Sequence, residues 1–319
     1  MQFDEKLDVV EEDIAQYSRE LLAILLKDRT TKENIIWATN DYTYYGGAYA
    51  ATEQIYSGLI TGVHSKLIQP RVAKNHEQKN SRTRDKAEVF TPSWICNAQN
   101  NLVDEHWFGY PNVFNNAKDN AWIATKRILF PDDTQHTWKH YVDARRIEVS
   151  CGEAPYLVSR YDTVTGKPIE LLSRVGLLDR KLRVVTENAS DESEWLKWAY
   201  RAFESVYGFE FQGDNLLLAR ENLLYTFIDY MRYALNRTPA LNELKKVATI
   251  ISWNLWQMDG LTYGPPLCDI QEEMNQLSFF DGTETGTMIV QKPAQLRCKI
   301  KDWRSKVIIE YYSLVKGEQ

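Results

Sequence analysis

Metal-ligand and disulfide patterns are missing from this chain. Its four cysteines, Cys96, Cys151, Cys268 and Cys298, lie far apart in 319 residues and form no Cys-x-x-Cys pair. The five histidines supply neither an HxxxH nor an HExxH spacing. A zinc site, a disulfide framework and a Ser/His hydrolase are therefore not expected, and no metal is assigned. No apolar run approaches a membrane span, and the chain does not open with a charged-then-apolar signal. A soluble, reducing, cytoplasmic setting is the expectation. Positive charge is also short: 38 Lys and Arg face 44 Asp and Glu, for a net −6. Phosphate contacts supply much of the affinity of nucleic-acid binders, which are usually basic. The balance argues against strong DNA binding by this chain alone and leaves room for a partner that grips DNA. No internal repeat or low-complexity tract is found.

What the chain does have is apolar and aromatic material. Its residues are 44% hydrophobic, with ten Trp and eighteen Tyr, enough for a sizeable core. The length suits one large domain, or a main domain with a smaller one. An N-terminal helical and irregular extension is expected over 1–85 and the main domain over 86–319, with an insertion at about 159–204. Apolar residues from Leu7 to Leu26 recur at helical spacing and predict one amphipathic helix from Phe3 to about Leu26. Residues 34–48 read as a strand or short turn elements. A basic run from Lys66 to Lys86, including Arg71, Lys74, Lys79, Arg82 and Arg84, reads as a solvated face or a phosphate-facing surface. Phe90-Thr91-Pro92 is extended, with Thr91 as a helix N-cap and Pro92 at the first helical position.

The stretch Arg145–Leu157, RRIEVSCGEAPYL, predicts a buried strand, a tight turn at Ser150-Cys151-Gly152, and a helix beginning near Pro155. A strand ending in a small-residue turn leaves backbone N–H groups in a crevice, where α/β folds bind nucleotide-like ligands. A helix is expected from about Asp191 to Val206. The segment from Ser205 to Asp214 then predicts a second strand, followed by a long helix from Asn215 to about Leu235. Glu210 at that strand's end is a candidate acceptor for ribose hydroxyls, since a carboxylate offers two acceptor oxygens. Its distance from Gly152 exceeds the roughly twenty residues of the dinucleotide fingerprint. Ile250–Trp256 reads as a third buried strand, ending at Asp259-Gly260. Further strands are expected at Leu296–Ile300 and Val307–Tyr312.

The order of these motifs resembles the adenine-N6 DNA methyltransferases of restriction–modification systems, of the gamma-ordered type, and their modification subunits. The resemblance covers about Lys86 to Leu261 and rests on KAEVFTP, on EVSCGEAP at Glu148–Pro155, on GFEFQGDN around Glu210, and on Asp259-Gly260-Leu261. It implies a Rossmann-like α/β core that binds S-adenosylmethionine. By that resemblance the cofactor-binding residues are Phe90, Thr91, Pro92, Glu148, Cys151, Gly152, Glu210, Phe211, Asp259, Gly260 and Leu261. Thr91 and its helix start would hold the methionine end, and the Cys151-Gly152 turn would pass close to the cofactor. Glu210 would take the ribose hydroxyls and Asp259 the adenine amino group, with Leu261 or Phe211 against the ring.

One departure is large. The family's catalytic Asn/Asp/Ser-Pro-Pro-aromatic element, whose carbonyls accept the target amino protons and whose ring stacks on the flipped base, is not found. Tyr263-Gly264-Pro265-Pro266 stands in the wrong order and lacks the amide or carboxylate, so no catalytic residue is assigned. The target-recognition region is also missing. The expectation is a cofactor-binding half of a methyltransferase, inactive alone and completed by a second polypeptide that carries the catalytic motif and the grip on double-stranded DNA. The alternative is a catalytically inactive, cofactor-binding regulatory subunit. A third reading, an endonuclease, would use Asp132 with Asp179-Arg180-Lys181 as a metal site.

Overall fold

The computed structural model describes residues 11–74, 82, 91–268 and 296–317. Phe90, Lys79, Arg84 and Lys86 lie outside the described residues, as do residues 1–10 of the first expected helix. The fold is mixed α/β around a parallel three-stranded sheet. The remainder of the predicted first helix is two helices, α1 (Glu11–Tyr17) and α2 (Arg19–Leu26). Ser18 breaks them: its backbone is extended and its hydroxyl accepts the Leu21 amide, so it starts a new helix rather than continuing the old one. Residues 34–56 form the expected short elements, with 3-10 turns at Thr43–Tyr45 and Gly47–Tyr49 and an isolated bridge from Ile36 to Gln54. The short helix α3 (Ser57–Ile60) follows.

Helix α4 (Ser93–Phe108) leads to a hairpin of β1 (Asn115–Lys118) and β2 (Ala121–Ala124), then to α5 (Trp138–Asp143). The sheet starts with β3 (Arg146–Val149). The crossover to β4 (Val206–Glu210) carries α6 (Leu177–Asn188) and α7 (Glu192–Glu204). The crossover to β5 (Leu255–Gln257) carries α8 (Gly213–Leu235) and α9 (Leu241–Asn254). Parallel strands need such long connections, and here each is helical. The order β3-β4-β5 follows the sequence, with Glu148 opposite Gly208 and Gly208 opposite Leu255.

Three sequence expectations fail here. The expected buried strand β3 is not buried, since its Ile147 and Val149 are 43% and 63% exposed. The third strand was expected over Ile250–Trp256, but Ile250–Asn254 belong to α9 and the strand is only Leu255–Gln257. An apolar run of this length fits a buried helix as well as a strand. Leu244, Val247, Ala248 and Ile251 share the buried face of a helix that Glu243 caps by accepting the Ala240 amide. The helix expected near Pro155 is replaced by turns, and the next helix begins at Leu177. Ser150, Gly152 and Ala154 have φ of 50°, 54° and 63°, left-handed values that no right-handed helix accommodates.

One sheet face, bearing Val206, Gly208 and Leu255, lies toward the helical core, where α8 and α9 pack on β4 and β5. The other bears Tyr207, Phe209 and Trp256, which cluster with Met258, Cys298 and Ile300. Its cover is the antiparallel hairpin of β6 (Lys299–Asp302) and β7 (Val307–Glu310). Tyr311 and Tyr312, expected as strand, open helix α10 (Tyr311–Lys316), and the Tyr311 ring lies 5.1 Å from that of Trp256. No helix of the described residues is long and apolar enough to cross a membrane.

Candidate functional site

The carboxyl ends of the three parallel strands bring the separated motifs together. The Cys151 amide donates to the Phe209 carbonyl at 2.8 Å, and the Met258 amide donates to the Glu210 carbonyl at 3.0 Å. Both bonds continue the sheet past its regular ends, so Cys151-Gly152, Glu210-Phe211 and Asp259-Gly260 lie side by side. The Gly152 amide donates to Glu210 Oε2 at 2.9 Å, and the Gln212 amide to Glu210 Oε1 at 3.2 Å. Glu210 therefore fixes the turn of the neighbouring strand as well as its own. Asp259 Oδ1 accepts the Leu261 amide at 2.8 Å, and the Asp259 backbone bonds to Tyr263 and Gly264. That ring of bonds makes a tight turn, on which Gly260 packs against the Phe209 ring and Leu261 stands 91% exposed. Phe211 is half-buried.

Glu148 points to the helical side of the sheet and accepts the Tyr156 and Leu157 amides at 3.2 and 3.1 Å. It shapes the loop from behind. Burial pushes its carboxyl up to about 8, with the Glu210 charge adding to the rise and the two amides opposing it. Cys151, also buried, is pushed well above the usual thiol range by burial and by the charges of Glu148 and Glu210. It is a packing residue, not a nucleophile.

Thr91 lies at the start of α4, but not as the expected cap. Pro92 occupies the cap position, the helix starts at Ser93, and the Ser93 amide donates to Asp162 Oδ2 at 2.8 Å. The helix start thus already holds a carboxylate, the chain's own. Asp162 also accepts the Thr165 amide at 2.7 Å. Burial opposes its ionisation, yet these bonds bring its pKa below the usual value. Thr91 joins the loop nonetheless: its carbonyl accepts the Thr163 hydroxyl at 3.0 Å.

Asp162 gives no signal in the sequence, being 69 residues from the helix it caps. Glu153 was also missed: buried beneath the loop, it accepts the Tyr161 hydroxyl and the Arg71 amide, both at 2.6 Å. The basic run Lys66–Lys86 is likewise not one solvated face. Arg82 is buried and donates to Asp214 at 2.7 Å and to Gln212, and the buried Lys74 lies 3.5 Å from the same carboxylate. Among its described members Lys66 is exposed. Arg82 is thus anchored to the turn that follows Glu210.

Asp179 and Lys181 do not form a metal site. Asp179 accepts the Ser159 amide at 2.7 Å, and Lys181 donates to the Val142 and Ala144 carbonyls, both inside the core, while Asp132 is exposed. Among the described residues no group of three or more His, Cys, Asp or Glu side chains is placed to hold a metal ion. Compared with protein-family models, with curated proteins and with solved structures, the chain matches none of them.

Proposed function

We propose that the chain is the S-adenosylmethionine-binding half of a DNA adenine-N6 methyltransferase, completed by a partner polypeptide. The observation that carries the reading is the adjacency of three strand ends. The Cys151-Gly152 turn, Glu210 and the Asp259 turn lie side by side at the carboxyl ends of the sheet, the first two joined by the Gly152–Glu210 hydrogen bond. Ligands of open α/β sheets bind outside the carboxyl ends of the strands. The acidic character of this edge, with Glu210 and Asp259, suits a cofactor bearing a sulfonium and an ammonium.

In this reading Glu210 accepts from the ribose hydroxyls and Asp259 from the adenine amino group, with Leu261 or Phe211 against the ring. The Gly152 backbone passes the cofactor where side chains would clash. Glu148 holds the loop in shape through the Tyr156 and Leu157 amides, and Thr91 lies beside Tyr156. When bound, the cofactor supplies an electrophilic methyl group. The amino nitrogen of the DNA adenine receives that methyl group, while the proton acceptors for this amine and the base-stacking ring come from the partner.

The sheet edges support the second half of the proposal. On β5 the outward carbonyls of Leu255 and Gln257 are capped by Arg220, at 3.0 and 2.7 Å, and by Cys298 Sγ at 3.3 Å. The β3 edge has no such cover among the described residues, and its Ile147 and Val149 side chains are 43% and 63% exposed. Parallel sheets are normally buried on both faces, and an open apolar edge invites a further strand.

Calorimetry with S-adenosylmethionine and S-adenosylhomocysteine tests the cofactor assignment. Saturable binding is expected, and no binding with or without a partner refutes it. The chain alone is expected not to methylate DNA, and methyl transfer to adenine by the isolated polypeptide overturns the split reading.

A further inference from the structure

A second site lies away from the loop at Gly152. The loop after α2, the last turn of α9 and the β6–β7 hairpin form the walls of an open cleft of about 680 Å³. Lys27, Arg29, Lys32 and Lys299 line it, with Trp253 and Ile308 as apolar wall. Gathering four cations at one place is notable in a chain of net charge −6. Among the described residues none of the four forms an ion pair.

Neither acid in the lining forms an ion pair with any of the four, although the Asp28 charge is felt at Arg29. Asp28 turns into its own loop, accepting the Thr31 amide at 2.8 Å and the Thr31 hydroxyl at 2.6 Å, and Glu310 is exposed. The arrangement is built rather than incidental. Arg29 Nε and Nη2 both donate to Ser252 Oγ, at 2.9 and 2.7 Å, and its guanidinium lies 5.6 Å from the Trp253 ring centroid. The Lys299 amide donates to Thr30 Oγ1 at 3.0 Å, tying the hairpin to the loop. Burial lowers the Arg29 pKa while the Asp28 charge opposes the fall.

We infer that this cleft binds a phosphate-bearing ligand of nucleotide size, with Arg29, Lys32 and Lys299 on the phosphate and Trp253 against the sugar or base. Its volume falls within the range of small-molecule sites, and a fixed guanidinium with mobile lysines is a common phosphate grip. The phosphate has two sources, a free nucleoside phosphate or the backbone of a nucleic acid. This inference stands independently of the methyl-donor reading.

Anisotropy of the full chain with a labelled nucleoside triphosphate, and separately with a short labelled DNA duplex, tests it. At least one probe is expected to bind saturably. Lys32→Gln, at an exposed position, and Lys299→Gln are each expected to weaken binding about tenfold, or 1.4 kcal/mol. Arg29→Gln is expected to do at least as much, while Lys197→Gln on α7 changes nothing. If the duplex is the ligand, Lys32→Gln also lowers the slope of log affinity against log salt by about one. Failure of both probes to bind overturns the inference. So does a loss confined to Arg29→Gln, or binding that none of the three substitutions alters.

Discussion

The Gly152 amide donates to Glu210 Oε2 at 2.9 Å, so one carboxylate holds the turns after two neighbouring strands in register. Glu210 accepts the Gln212 amide with its other oxygen. Replacing Glu210 by Ala leaves two backbone donors without this acceptor, at a cost of about 1–3 kcal/mol for each donor that stays dry. Glu210→Gln keeps the shape and one acceptor oxygen but turns an amide N–H₂ toward a donor. Calorimetry is expected to show at least a tenfold loss of S-adenosylmethionine affinity in Glu210→Gln, and a larger loss in Glu210→Ala. Unchanged affinity in a folded Glu210→Ala protein removes Glu210 from the site.

Val149 lies opposite Phe209 on the sheet yet is 63% exposed, and Ile147 opposite Tyr207 is 43% exposed. Val149→Glu changes little in the isolated chain, within about 0.5 kcal/mol, because the side chain is already in water. On the partner reading the same substitution blocks strand addition. Co-purification with the catalytic polypeptide is expected to fail while calorimetry of the cofactor is unchanged. Normal complex formation by Val149→Glu argues that the partner docks elsewhere.

Much of this arrangement is legible from local signals. The position of β3 (though not its burial), the long helix α8, the helix beginning near Asp191 and the acidic end of β4 all follow from periodicity and turn chemistry. What escapes are features decided by distant residues. Ile250–Asn254 read as strand because five apolar-rich residues do not show a helical period unless joined to Leu244 and Val247. The turn after Gly152 cannot be told from a helix start, since the Tyr156 and Leu157 amides are claimed by Glu148, across the loop. Lys74 and Arg82 look like surface charge until Asp214 is placed beside them.

That last cluster sets an acid limit on stability. Burial raises the Asp214 pKa, but the Arg82 and Lys74 charges, with hydrogen bonds from Arg82 and Tyr42, outweigh it and hold it well below the usual carboxylate value. A depressed folded pKa gives stability that is present above the unfolded value, about 3.9, and lost as pH falls through the folded one. Arg82→Met is expected to cost about 3–5 kcal/mol at pH 7 by leaving a buried charge underpaired. Urea unfolding is expected to show this gap narrowing below about pH 4. A gap independent of pH dismisses the ion pair as its source.

Glu148 predicts the opposite slope. Its folded pKa is raised to about 8 from 4.5, so the folded state holds a proton that the unfolded chain has released. Its contribution is fully present below 4.5 and is lost as pH rises through about 8. Melting temperatures of the native chain should fall over this interval, and Glu148→Gln should remove that part of the slope. Parallel melting profiles for the two proteins mean that Glu148 is not held protonated.

Gly176 offers the sharpest test of how the loop is supported. It precedes α6, whose first amides, from Leu177 and Leu178, donate to the Tyr156 and Leu157 carbonyls at 2.8 Å. The helix start therefore rests directly on the end of the Gly152 loop. A Cβ at residue 176 would lie 2.3 Å from the Leu157 carbonyl oxygen and 2.6 Å from the Val158 Cα, and neither is a flexible side-chain end that can move aside. The Gly176 φ of −64° suits any residue, so crowding alone forbids the methyl group. Gly176→Ala must push the loop away from α6, at a cost of about 1–3 kcal/mol typical of overpacking. Because Glu148 holds the same two residues from below, the displacement travels toward Gly152 and its bond to Glu210. Chemical denaturation should report the loss of stability, and calorimetry a loss of cofactor affinity in the same protein. Full affinity in a destabilised Gly176→Ala protein separates the loop from the site.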